Sequence, residues 1–223
     1  MTATTLFRVV LRDTVGPALR AVGFTGSGTT WTLKAPNNDV AIVNAQSSQA
    51  STAEEVQFVV NLAVAPASWR AWRNTLLHRP EPRAPKEHDG LWRDRLHPRL
   101  EVPRREHGTE PWWVIRDERD ARACADDVVG QLIQHAVPRL RQLLDRDTLL
   151  VTVRTGDFGF LYHDPTVALA VLVSDRGPSA ELDDLLARIA ADPDDRHRSR
   201  NEQLIEWIHR RVGPPDHPAT QPT

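Results

Sequence analysis

A single cysteine, Cys124, leaves this chain without an internal disulfide and without a multi-thiolate zinc or iron–sulfur site. A reducing cytoplasm suits such a sequence. Long hydrophobic runs are missing too: nothing approaches the roughly 18 uninterrupted apolar residues of a membrane-spanning helix. Arg8 and Arg12 interrupt the opening MTATTLFRVVLRD before it builds a signal-peptide core. The expectation is a cytoplasmic protein with no membrane partner. Lysine is scarce, Lys34 and Lys86 being the only two among 28 basic residues. That arginine excess, beside many Ala, Asp and Pro, fits a compositional bias toward GC-rich codons better than selection for guanidinium forks. No basic surplus exists, since 30 Asp and Glu oppose those 28 cations, which argues against a general polyanion binder.

The familiar catalytic and cofactor motifs are also missing. There is no HExxH or CxxC for a metal and no GxSxG elbow for a serine hydrolase. Asp157-Phe158-Gly159 spells the kinase metal motif without a glycine-rich loop, strand lysine or HRD loop. Gly26-Ser27-Gly28 lies between a helix and a strand, the reverse of the order that cradles phosphate on a helix N-terminus. Both read as turns, and no cofactor is expected. Cys124 has no nearby histidine and sits in an apolar helical pattern, which makes it a buried, inert thiol.

What is present suffices for one globular core with a tail: 40% of residues are apolar and 26% charged. Leu6, Val9, Val10, Leu11, Val15 and Leu19 make one helical stripe that Pro17 kinks or splits and Gly23 stops. Thr29 to Lys34 alternates as a first strand. VAIVNAQSSQ, from Val40 to Gln49, reads as a second, and Val56 to Val64 keeps period two for five positions as a third. A helix capped by Ser68 or the preceding turn carries Trp69, Trp72 and Leu76. From His78 to Pro111 six prolines punctuate a long, largely irregular excursion, before Trp112 to Ile115 supplies a fourth strand. Everything after Asp117 reads helical, with Pro138 starting a new turn, Asp164-Pro165 opening a helix, and Thr148 to Arg154 ambiguous.

These features predict an α+β fold: an antiparallel sheet of about four strands covered by helices on one face, with a helical C-terminal extension. The expected organisation is an α+β domain over 1–145, a helical extension over 146–213 and a disordered tail over 214–223.

The order of features resembles the bacterial domain-of-unknown-function family 4304. The pieces that carry the resemblance are the opening helix ending in Gly23-Phe24, the Trp31 strand, NAQSSQ at Asn44 to Gln49, FVVNLAV at Phe58 to Val64, and WWVI. It spans roughly 5–145. Ala63 stands where the family pattern carries Gly, a difference that bears on backbone approach. The resemblance implies no catalytic residue.

If Val43 and Ala45 join Phe58 to Val64 on the core side, then Asn44, Gln46, Gln57 and Asn61 share the opposite face as an amide-rich platform for a protein or a small polar ligand. A one-residue shift would bury Asn44 and Gln46 instead, and plain solvated alternation is the competing account. His78, His88, His97 and His107 lie ten, nine and ten residues apart, without the close pair that metal sites use. Trp69, Trp72, Trp92, Trp112 and Trp113 interleave with seven arginines, the mixture that stacks and neutralises single-stranded nucleic acid, or else tryptophans closing a core beneath a paired arginine surface. Residues 70–107 carry ten basic against six acidic side chains and 117–195 eight against sixteen, so the two segments can attract one another or a partner. Leu204, Ile205, Trp207 and Ile208 give the last helix a docking face. The functional expectation is a non-catalytic binding or accessory module using the open sheet face, with Trp92 and Trp112 at its edge, and the 78–107 excursion. Nucleic-acid binding is the alternative, and an enzyme reading requires acids, bases or a nucleophile converging in a cleft.

Overall fold

The computed structural model describes residues 1–79, 84–107, 110–160 and 163–213. The tail expected to be disordered, 214–223, lies outside these, as does part of the proline-rich excursion. Helix α1 (Ala3–Val10) opens on Thr2, whose side chain accepts from the Thr5 N–H, and runs through a π-helical turn (Leu11–Val15) into α2 (Gly16–Ala21). Pro17 is the physical cause of the interruption. It has no N–H to return to the preceding turn and its ring crowds the carbonyl four residues back, so the backbone widens and the Gly16 N–H donates to the Leu11 carbonyl.

The described strands form a seven-stranded antiparallel sheet, three more than expected. They are β1 (Thr25–Ser27), β2 (Thr30–Lys34), β3 (Val40–Ser47), β4 (Val56–Ala65), β5 (Trp92–Leu96), β6 (Arg104–His107) and β7 (Glu110–Ile115). Strand β4 is buried from end to end. One edge pairs with β3; the other is divided, Val56 to Phe58 with β7 and Val60 to Val64 with β5. The excursion read as irregular thus contains β5, β6 and a 3₁₀ turn at Glu87–Asp89. WRDRL and RREH are short and rich in charge, so their pairing comes from the backbone groups that a long buried neighbour presents, not from β-propensity. The Gly26-Ser27-Gly28 turn likewise contains an edge strand. Gly26 holds φ 137°, and a Cβ there would stand 2.3 Å from the Thr30 carbonyl oxygen.

The register pairs Val43 with Leu62 and Ala45 with Val60. Val43, Ala45, Phe58, Val60, Leu62 and Val64 therefore face the helices and share one cluster with Trp113, Ile115 and the α1 stripe. Phe58 packs between Phe7 and Trp113, with ring centroids 4.9 and 5.5 Å away. The opposite face holds a smaller cluster of Val40, Ile42, Ala63 and Ala65.

Helix α3 (Ala67–Leu76) begins at Pro66 and not through Ser68. Helix α4 (Glu118–Gln131) passes through a second π-helical turn (Leu132–Ala136) into α5 (Val137–Leu144), where Pro138 imposes the same widening as Pro17. Thr148 to Arg154 is helical, within α6 (Arg146–Arg154). Helix α7 (Pro165–Val173) is capped by Asp164, and α8 (Ala180–Ala190) and α9 (Asp195–Val212) follow. Leu204 and Ile208 of α9 dock on this same chain, and Trp207 lies 5.8 Å from Trp72.

The missing cap of α3 is supplied from a distance. Asp39, in the β2–β3 turn, is 0% exposed; its Oδ1 accepts the Ala67 N–H at 2.8 Å, and its carboxylate receives Arg146 Nε at 2.5 Å and Nη2 at 2.7 Å. Arg146 also pairs with Asp175 at 2.9 Å. Removing one partner leaves a buried charge uncompensated, which costs about 3–5 kcal/mol. Asp39→Ala and Arg146→Ala should each lower Tm by roughly 10 °C in a chain of this size, and the double variant should lose less than the sum. Additive losses in a denaturation double-mutant cycle would show that the pair is not coupled.

Candidate functional site

The structure brings Asn44, Gln46, Gln57 and Asn61 to one sheet face and turns Trp112 to the same side. Trp92 joins the core cluster on the other. The four amides are hydrogen-bonded within the sheet and its edge. Thr30, Asn44, Asn61 and Arg95 stand in register across four strands. Asn44 Nδ2 donates to Thr30 Oγ1 at 2.9 Å, Asn61 Nδ2 to Gln46 Oε1 at 2.8 Å, and Arg95 Nε to Asn61 Oδ1 at 2.8 Å, while Arg95 also pairs with Glu110. Gln57 donates to Glu55 at 2.9 Å. Asn61 is 0% exposed, so this row is a cross-strand polar ladder. Phe160, 48% exposed, lies over Arg93 and Arg95, with its centroid 4.9 and 5.5 Å from the guanidinium carbons.

The tryptophan and arginine mixture resolves in the same way. All five tryptophans are buried, so none presents a stacking face. Five of the seven arginines meet acids, Arg93 with Glu87, Arg95 with Glu110, Arg99 with Asp127, Arg104 with Glu106 and Arg105 with Glu55, while Arg70 and Arg73 donate to the Asn38 and His88 carbonyls. The Arg99–Asp127 pair joins the basic segment to the acidic one, as their charges suggested. Among the histidines, His88 lies 3.2 Å from Glu87 and His97 bonds the Pro111 carbonyl. No group of three metal-ligating side chains occurs among the described residues. No helix among them is long and apolar enough to cross a membrane. The Asp157-Phe158-Gly159 turn is structural. Arg93 N–H donates to the Phe158 carbonyl and Phe160 N–H to the Arg93 carbonyl, an approach so close that a Cβ on Gly159 would lie 1.7 Å from the Arg93 carbonyl oxygen.

A concave site lies elsewhere, between the opening helix and the β1–β2 hairpin. It is a cleft of about 570 Å³, within the usual range for small-molecule sites. Phe7, Leu11 and Trp31 form its apolar wall; Thr4, Ser27, Thr29 and Ser47 contribute hydroxyls; Arg8, Arg12 and Arg20 contribute charge. Arg12 pairs with Asp13 at 2.6 Å, whereas Arg8 and Arg20 make no ion pair among the described residues. The π-helical turn explains this convergence. Arg8 and Arg12 are four apart, and the extra residue of that turn brings Arg20, eight positions on instead of seven, back to their face. Like charges four apart on a helix cost about 0.2–0.5 kcal/mol, so the grouping does not serve helix stability. Trp31 is 1% exposed and its ring N–H finds no acceptor among the described residues, a shortfall of about 1–3 kcal/mol. In the linear sequence Arg8 and Arg12 stand out only as interruptions of an apolar run. Pro17 was the available signal, because the widening it forces sets the arginine spacing.

A family model described as Domain of unknown function (DUF4304) matches residues 15–142. The chain belongs to this family. No curated protein and no solved structure matches it. The DUF4304 match contains the Arg20, hairpin and Trp31 side of the cleft, while Arg8 and Leu11 precede it.

Two titratable groups of interest lie away from the cleft. Cys124, in α4 against β7, donates to the Val114 carbonyl at 3.4 Å, and burial, with Asp120 nearby, pushes its thiol up to about 12. It should resist thiol reagents at pH 8 in the native state and react on unfolding; rapid native labelling would contradict that placement. His163 stands edge-on to Trp69 and Phe158, with centroids 5.1 and 5.3 Å away. Burial, then the charges of Arg73 and Arg93, lowers its pKa to about 4. An unfolded histidine takes its proton below about 6.5, so the folded form binds fewer protons between that value and about 4. The stability His163 contributes is complete above the upper value and lost as pH falls toward the lower. His163→Phe should flatten the fall in urea midpoint from pH 6.5 to 4.5; an unchanged slope would show that another group governs it.

Proposed function

We propose that this DUF4304 protein is a cytoplasmic, non-catalytic binding module whose ligand site is the cleft between the opening helix and the β1–β2 hairpin. The observation that carries the reading is the composition of that cleft. It has an apolar wall, hydroxyls and guanidiniums, and no carboxylate, imidazole or thiol among its lining residues. Such groups hold and orient a molecule, whereas proton transfer or covalent chemistry calls for a titratable acid, base or nucleophile. The sheet-face amides support the site from a distance: Asn44 also donates to the Thr29 carbonyl at 3.3 Å, where the chain enters β2. They tie the hairpin to the sheet and hold its lip of the cleft in place.

The neutral fluorophore N-phenyl-1-naphthylamine tests the site. Saturable binding of one molecule per chain is expected. Thr29→Trp, an exposed substitution on the hairpin that fills the cleft, should weaken it at least tenfold. Binding that is absent, or unaffected by Thr29→Trp, would reject the cleft as the site.

A further inference from the structure

We propose that the cleft takes an amphipathic organic anion: an aromatic or aliphatic body bearing one carboxylate, sulfonate or phosphate group. This rests on the cleft being the binding site and adds the chemistry of its ligand. The body follows from Phe7, Leu11 and Trp31, which offer a hydrophobic wall that a purely inorganic anion would leave uncovered. The charged group follows from the guanidiniums. Asp13 already neutralises Arg12, so the two without an acidic partner among the described residues, Arg8 and Arg20, match a ligand of one or two negative charges and not a polyanion. A free molecule fits better than a membrane lipid. The exposed large apolar side chains, among them Leu100, Val151 and Phe160, lie outside the cleft lining, so no apolar rim surrounds its mouth to enter a bilayer.

The probe is 1-anilinonaphthalene-8-sulfonate, which carries the same ring skeleton as N-phenyl-1-naphthylamine plus one sulfonate. At 50 mM salt the sulfonate should bind at least tenfold more tightly than its neutral counterpart, a difference of 1.4 kcal/mol. Arg8→Gln/Arg20→Gln should abolish that preference, so that the two probes bind the variant with equal affinity. Raising the salt to 500 mM should weaken the anion alone. Circular dichroism checks the fold of the double variant, and single Arg20→Gln, expected to lose part of the preference, provides a second test. Free dodecanoate should displace the sulfonate probe, whereas sulfate and phosphatidylglycerol vesicles should not. Equal affinities for the two probes, or a preference that survives both variants, would overturn the anion assignment and leave the cleft as a neutral apolar site. Displacement by sulfate as effective as by dodecanoate, or capture of the protein by vesicles, would overturn it as well. Failure of both probes to bind the cleft would instead remove the binding reading on which it rests.

Discussion

A carboxylate at a fully buried position must be paired or the surrounding fold loses several kcal/mol, and Asp39 imposes that condition here. Its partners come from three parts of the chain: Asn37 in its own turn, the Ala67 N–H at the start of α3, and Arg146 at the start of α6. Asp39 lies within the DUF4304 match and Arg146 just beyond it. The principal counter-charge of a buried group in the family segment is therefore supplied by the helices that follow. Gly159 adds a second tie, since its backbone joins β5 only because it has no side chain to obstruct the approach. The C-terminal helices thus complete the electrostatics and hydrogen bonding of the sheet as well as covering apolar surface.

Polar groups on the two sides of the β1–β2 hairpin have different fates. On the outer sheet face the amides and Arg95 bond to one another, so their capacity is used in fixing register. On the helix side Arg8 and Arg20 make no ion pair among the described residues. A surface whose donors are consumed internally holds strands together; a concave one with unspent donors and an apolar wall is arranged for something else to enter.

Much of the architecture was legible in periodicity. The α1 stripe, the period-two run of β4 and the Asp164-Pro165 start of α7 all reflect local rules of side-chain spacing and capping that assign an element without distant contacts. Strands β1, β5 and β6 were not legible, because TGS, WRDRL and RREH lack β-branched alternation and pair through backbone groups exposed by their neighbours. The cleft was hidden for a related reason. Its residues come from the helix, the hairpin and the end of β3, and only the phase change at the π-helical turn brings the three arginines together.

The sequence by itself determined the α+β class, the family and the position of the longest strands, since each depends on residue type and near spacing. Tertiary structure alone decided that Asn61 meets Gln46 and Arg95, that the tryptophans are interior and that Asp39 meets Arg146 across 107 positions. Those outcomes depend on which distant backbones come within hydrogen-bonding reach, and no local pattern encodes that distance.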